Sequence, residues 1–417
     1  MIQRHTCENG LRIVTEKIPS VRSVALGIWV GTGSKYETKQ VNGISHFLEH
    51  MFFKGTTSRS AKEIAETFDE IGGNVNAFTS KEYTCYYARV LDQHAPIALD
   101  VLADMYFHSV FDEEELEKEK NVVIEEISMY EDTPDDLVHD LIARASFADH
   151  PLGSSILGTE EVLRALKRDD LINYIERRYL PANTVVTVAG NFDESLIEEI
   201  KRRFSAFQRQ APAFDVAQPV FAANAIAQHK ATEQAHLCIS LPGYPVGHEE
   251  IYSLILLNNV LGGSMSSRLF QEIREERGLA YSVYSYHSSY KETGTFTIYT
   301  GTAPEQVGQV FDIVAHVLRD VAENGITDKE LNKGKEQLKG SLMLSLESTN
   351  SRMSRLGKNE LLLGRHLSLD EILAKIDRVS HESVHAVARE LFRSKLALAM
   401  VSPLDGFPAN VKSDILL

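Results

Sequence analysis

Gly43-Ile44-Ser45-His46-Phe47-Leu48-Glu49-His50-Met51 is the stretch from which the rest of the chain can be read. Its apolar spacing predicts a helix from about Ile44 to Phe53. On a helix, residues four apart lie on one face, one turn from each other. His46 and His50 therefore offer two imidazoles to one point, a spacing that suits a single Zn²⁺ with bonds of about 2.0–2.1 Å. Glu49 stands beside the same face, three residues after His46. A carboxylate there can take the proton of a water that zinc has made acidic. The bland alternative is two core histidines with a surface glutamate. With 15 histidines in 417 residues, chance places such a string in about one chain in twenty.

A catalytic zinc usually has three protein ligands and one open position, so a third ligand has to come from elsewhere. A second helix is expected from about Glu113 to Tyr130. Asp112 is its N-cap candidate, and Glu115 would complete a capping box. The inward stripe of this helix reads Leu116, Val123, Ile127 and Tyr130, and Glu119 and Glu126 share it, seven residues apart. Carboxylates on an apolar face are costly unless they are paired or bound to a cation. Glu126 is the better ligand candidate. Glu119, two turns earlier, suits the role of orienting a histidine. The competing reading places both glutamates on the solvated rim of a wide stripe.

Working outward, the first half alternates strands and helices. Strands are expected at Leu11 to Thr15, Ser23 to Val30, Asn74 to Thr79, Tyr83 to Val90 and Thr184 to Ala189. Helices are expected at Ala61 to Ile71, Pro96 to Phe107 and Glu194 to Phe207. The second half repeats the first when the numbering is shifted by 209. Arg59-x-x-x-Glu63-Ile64 falls on Arg268-x-x-x-Glu272-Ile273. Lys81-Glu82 returns as Lys291-Glu292 after one extra residue, and the strand at Thr184 is echoed from Leu396 to Val401. Under the same shift His46, Glu49 and His50 fall on Ile255, Asn258 and Asn259. The reading is therefore a metal-binding domain over 1–208, a linker over 209–228 and a similar domain without the cluster over 229–417. Each half is long enough to bury a core.

Composition narrows the function classes. Apolar residues make up 43% and charged residues 24% of the chain, ordinary for a globular protein. The net charge of −16 with no long basic run argues against nucleic-acid binding. It would attract cationic substrates, or simply keep the chains apart in solution. Cys7, Cys85 and Cys238 are scattered and odd in number, which fits reduced thiols in a cytoplasmic protein. The N-terminus reads as neither a secretory nor a mitochondrial leader. No apolar run is long enough to predict a membrane span.

Taken together, these features resemble the inverted-motif zinc peptidases of the pitrilysin and insulinase family, and specifically the mitochondrial-processing-peptidase-like branch. The resemblance covers nearly the whole chain. It rests on Asn9-Gly10-Leu11-Arg12, the Gly43 to Met51 stretch, Gly72-Gly73-Asn74-Val75-Asn76-Ala77 and Glu119-x6-Glu126. It continues through His150-Pro151-Leu152-Gly153, Leu157-Gly158-Thr159 and Tyr179-x-Pro181-x-Asn183. The resemblance implies an α+β fold of two duplicated domains, each a largely antiparallel sheet packed with helices. It implies one zinc per chain on His46, His50 and Glu126, supported by Glu119, with Glu49 as the base.

It implies further that Arg274 and Tyr281, in the second domain, hold the substrate near the zinc. Two chains would close into a homodimer around a chamber, with the second domain of one facing the zinc of the other. A peptide strand would add to the edge formed by Asn74, Val75, Asn76, Ala77 and Phe78. Asp136 and Asp140 would favour a basic residue near the cut. The activity expected is that of a zinc endopeptidase acting on peptides or unfolded precursor segments. The alternatives are a non-catalytic subunit of the same fold and a zinc amidohydrolase acting on a small molecule.

Overall fold

The computed structural model describes residues 2–212 and 216–414. A first sheet is built from β1 (Ile2–Thr6), β2 (Arg12–Lys17), β3 (Ser23–Val30), β4 (Asn74–Thr79), β5 (Thr84–Leu91) and β6 (Thr184–Gly190). Its order is β1-β2-β6-β3-β5-β4. A second sheet is built from β7 (Ala225–His229), β8 (Ala235–Gly243), β9 (Ala280–Ser289), β10 (Gly294–Thr302) and β11 (Ala397–Ser402), in the order β7-β11-β8-β10-β9. Each sheet has one parallel pair, β2 with β6 and β7 with β11, and is otherwise antiparallel. The order β2-β6-β3-β5-β4 thus recurs strand for strand, with β1 as an addition to the first sheet. The expected α+β architecture of two helix-packed sheets is present, and the duplication is written in its topology.

The matched residues occupy matched places. Lys81 and Glu82 lie in the turn between β4 and β5, and Lys291 and Glu292 lie in the turn between β9 and β10. Arg59 pairs with Asp100 and Asp104 on the helix Ala95–His108. Arg268 pairs with Asp320 on the helix Val307–Asn324.

Strand position follows side-chain pattern. β3 and β6 are central and covered on both faces, so they read as nearly continuous apolar runs. β4 is the edge strand, and its Asn-Val-Asn-Ala-Phe-Thr alternates. The helix Ala61–Glu70 starts at a capping box between Ser60 and Glu63, and the chain turns into β4 through Gly72 at φ +59°.

The chain divides into two compact units. The first comprises Met1–Ile127, Ser155–Val216 and Leu344–His366. The second comprises Ser128–Ser154, Ala217–Met343 and Leu367–Leu417. Two segments thus cross a simple division at the linker. The helix Thr349–Leu362 sets Met353 and Leu356 against Trp29, Ala25, Cys85 and Val185 of the first sheet. The helix Pro134–Phe147 sets Leu137, Val138, Leu141 and Ile142 against Cys238, Tyr299, Ala397 and Val401 of the second. The physical reason is that each sheet has two faces to bury. The helices packed in the two large cores cover only one of them.

Some local expectations need correction. Residues 225–228 are not linker, because β7 pairs there with β11. Residues 213–215 of the expected linker lie outside the described residues. The helix expected to reach Phe207 ends at Phe204. Asp112 caps its helix by accepting from the amides of Glu114 and Glu115, but the Glu115 carboxylate bonds Lys118 rather than closing a capping box. The second-repeat match to Arg59-x-x-x-Glu63-Ile64 lies at a short π-helix, Phe270–Glu275, not at a second α-helix like Ala61–Glu70.

Candidate metal centre

The helix carrying the histidines is Ile44–Met51. Its N-cap, Gly43, has φ +97°, and a Cβ there would lie 2.6 Å from the carbonyl of Leu157. The first turn is held by a buried carboxylate. Glu37 accepts from the amides of Gly43 (2.7 Å) and Ser45 (2.8 Å) and from the side chain of Asn42 (3.0 Å). Ile44, Phe47, Leu48 and Met51 enter the core. That anchoring turns His46, Glu49 and His50 toward the helix Glu113–Glu131, with the two imidazole centroids 4.7 Å apart.

Glu126 comes from that second helix. Its Oε1 lies 3.7 Å from His46 Nε2 and its Oε2 lies 3.5 Å from His50 Nε2. The three donor atoms lie within 4.8 Å of one another. These separations are long for hydrogen bonds. They are close to the roughly 3.4 Å expected between two atoms bound tetrahedrally to one zinc ion. Two imidazoles and a carboxylate converging at ligand spacing fit a zinc ion in chemistry and in geometry.

Glu119, two turns earlier on the same stripe, is buried. Its Oε1 lies 2.8 Å from His50 Nδ1, and its Oε2 is bonded by Lys54. A carboxylate cannot donate, so Nδ1 carries a proton toward Glu119, and Nε2 is the ring nitrogen that faces Glu126. Burial opposes protonation of His50, but the hydrogen bond to Glu119 and the nearby carboxylate of Glu126 outweigh it and push the imidazole up to about 9. His46 goes the other way. Burial, then the neighbouring His50, pushes it down to about 4. The carboxyl of Glu49 is raised above the usual carboxylate range, chiefly by burial, although Thr79 Oγ1 donates to its Oε2 at 2.7 Å. A carboxylate of raised proton affinity suits proton transfer.

The remaining candidates fall into two places. Asn74 to Phe78 lie in β4, at the free edge of the first sheet and in the same unit as the histidines. Arg274, Tyr281, Asp136 and Asp140 all belong to the second unit. Arg274 lies in the π-helix, with its guanidinium 4.8 Å from the ring centroids of both Phe270 and Tyr281. Tyr281 is a bulge residue: Thr302 pairs with Ala280 and Gly301 with Ser282, which leaves Tyr281 without a partner and 77% exposed. Asp136 and Asp140 lie on the helix Pro134–Phe147. His139 stands between them in sequence and holds the hydroxyls of Tyr286 (2.8 Å) and Tyr284 (3.0 Å) through its two ring nitrogens.

Reading the residues alone missed Glu37, Lys54 and Thr79. Each acts across a loop or between elements. Only Lys54, four residues past His50, carried a usable spacing signal.

Comparison with known proteins agrees over nearly the full length. The family model described as Insulinase (Peptidase family M16) matches residues 12–160, and that of the Peptidase M16 inactive domain matches residues 165–338. An uncharacterized zinc protease of Bacillus subtilis is 59% identical over 409 residues, covering 98% of this chain and 100% of its own length. One from Streptomyces coelicolor is 44% identical over 414 residues, covering 97% and 90%. The crystal structure of a protease from Helicobacter pylori superposes with a TM-score of 0.91 at 21% identity, over 97% of this chain and 99% of that one. At that identity the likeness speaks for the fold alone.

Proposed function

The chain belongs to the insulinase family, peptidase family M16, as a zinc protease, and we propose that it is an endopeptidase whose one zinc is held by His46, His50 and Glu126. The observation that carries the reading is the convergence of two imidazole Nε2 atoms on the Glu126 carboxylate at 3.5 and 3.7 Å. Zinc, when bound, supplies a Lewis acid that polarises the scissile carbonyl and acidifies water. The protein's own groups do the rest. Glu49 takes the proton of the attacking water and returns it to the leaving amine. Glu119, held by Lys54, keeps His50 in the tautomer that presents Nε2. Tyr281 and Arg274 donate to the substrate carbonyl. The edge of β4 pairs with the peptide main chain, which is common to all sequences. Asp136 and Asp140 favour a basic side chain near the cut, in keeping with the net charge of −16.

The domain roles follow the same reading. The first unit supplies the zinc ligands and the base, and the second supplies Arg274 and Tyr281. We propose a cytoplasmic homodimer in which these two residues serve the zinc of the partner chain, around a chamber that admits unfolded segments. The test is cleavage of a quenched basic peptide by wild type and by Glu49→Gln, with zinc measured on both. Wild type should cut, and the variant should keep about one zinc per chain while kcat falls roughly 10²–10⁴-fold. Zinc in both samples and no cleavage of a varied peptide panel would instead indicate a binding subunit. Hydrolysis of small amides alone would indicate an amidohydrolase.

A further inference from the structure

The strand proposed to bind peptide also grips the group proposed to activate water. Thr79 is the last residue of β4. Its Oγ1 donates to Glu49 Oε2 at 2.7 Å. We propose that Thr79 is a positioning residue through which the substrate-binding edge fixes the orientation of Glu49.

Three observations support this. First, the pleat places Thr79 correctly. Val75 and Ala77 pack into the core that contains the histidine helix, while Phe78 points the other way and meets Trp29 edge-on at 5.5 Å. Thr79 shares the face of Val75 and Ala77, and so it looks at the helix Ile44–Met51. Second, the turn after Thr79 is clamped. Ser80 bonds Tyr83 through both its amide (2.8 Å) and its hydroxyl (2.9 Å). The amide of Lys35 bonds the carbonyl of Lys81 at 2.8 Å, and the buried Lys35 ammonium bonds Glu82 at 2.7 Å. A Cβ at Gly33 would fall 2.1 Å from the carbonyl of Ser80, so this loop lies directly against the turn. Third, the side chain is stiff. A β-branched residue in a strand has few χ1 choices, so the hydroxyl is held in place before substrate arrives.

The consequence is that one element aligns both reactants. A peptide pairing with β4 lies about 4.8 Å from it, and the end of that strand holds the carboxylate that must meet the water. Orientation of this kind raises turnover rather than affinity. The inference rests on the endopeptidase reading above. It predicts an effect on kcat, not on KM and not on zinc.

The experiment compares wild type, Thr79→Val and Thr79→Ser on one quenched peptide, with zinc content measured on each. Val keeps the shape and removes the hydroxyl, and Ser keeps the hydroxyl. Thr79→Val should lose roughly 10- to 100-fold in kcat, the worth of one hydrogen bond to a charged group. Its KM should stay within about twofold of wild type, its zinc should stay near one per chain, and Thr79→Ser should recover most of the rate. Added to Glu49→Gln, Thr79→Val should cost nothing more, because the residue acts through the base. If Thr79→Val misfolds, Thr79→Ala carries the same comparison. A loss confined to KM, a full further loss in the Glu49→Gln background, or failure of Ser to rescue overturns the positioning role and leaves the endopeptidase reading standing. A wild type that cuts no peptide overturns both.

Discussion

The two repeats share a strand order and differ in what their facing helices carry. In the first, Ile44–Met51 offers His46, Glu49 and His50, and Glu113–Glu131 offers Glu119 and Glu126 as its seventh and fourteenth residues. In the second, Ile251–Gly262 offers Ile255, Asn258 and Asn259, and the seventh and fourteenth residues of Asp328–Ser345 are Gly334 and Ser341. The two halves of the cluster are present together or absent together. A Cβ at Gly334 would lie 3.1 Å from Leu256 Cγ, so the second pair of helices packs closely at that point. A buried carboxylate is tolerable only with a partner. A helix that has lost its histidines has no use for the glutamates that faced them.

The largest expected effect breaks this comparison at its centre. His50→Ala should remove zinc and peptidase activity together, because it deletes one ligand and strands Glu119 beside Lys54 without its imidazole. Asn259→Ala, the same position in the second repeat, should change neither. Metal analysis and one cleavage assay on both variants decide it. Loss of zinc in Asn259→Ala would mean that the second repeat supports the metal after all.

A smaller effect sharpens the comparison through protons. The imidazole of His50 is pushed up to about 9 in the metal-free protein by Glu119 and Glu126 against the opposing effect of burial, so it carries a proton at pH 7. Zinc has to displace that proton. His46, pushed down to about 4, has none to give. Zinc uptake at pH 7.5 should therefore release close to one proton per chain from this site. Apparent affinity should rise about tenfold per pH unit and level off near pH 9. Titration calorimetry in buffers of different ionisation enthalpy reads the proton count. Glu119→Gln should weaken zinc about 10- to 100-fold and move the plateau to lower pH, since a neutral amide holds the His50 proton less tightly. A proton count near zero in wild type would contradict the assigned charge state.

What could be read from the sequence, and what could not, follows the reach of each interaction. The helix of His46 and His50, the stripe of Glu119 and Glu126 and the duplicated halves all express themselves at short periods or fixed offsets. The strands Ser23–Val30 and Asn74–Thr79 have the bounds that alternation and apolar runs suggest. Glu37 was invisible because it caps a helix across a loop. Thr79 was invisible as a partner of Glu49 because 30 residues separate them. The helices Thr349–Leu362 and Pro134–Phe147 each join the other half's sheet, and no local pattern says which of two apolar faces a helix will cover. Tyr281 could be named only by resemblance. Its exposure comes from a one-residue slip in the pairing of β9 with β10, which depends on both strands at once.

The smallest effect tests close packing in the two regions without touching the chemistry. Gly357, on the helix Thr349–Leu362, faces the indole of Trp29, and an added Cβ would lie 2.2 Å from a ring carbon. That ring is fully buried, and its Nε1 is bonded to Thr187 at 2.9 Å, so it has no room to move aside. Gly357→Ala should cost about 1–3 kcal/mol by overpacking. Gly334→Ala meets only a leucine at 3.1 Å, and that side chain can yield a few tenths of an ångström. Replacing a helical glycine also recovers up to about 1 kcal/mol of backbone entropy. The two terms nearly cancel, and Gly334→Ala should stay within about 1 kcal/mol of wild type. Urea unfolding of both variants measures the difference, with zinc content unchanged in each. If Gly334→Ala proved as damaging as Gly357→Ala, the close approach at Gly334 would be as unyielding as the wall at Trp29. The second repeat would then have replaced its ionisable groups with tight packing rather than merely lost them.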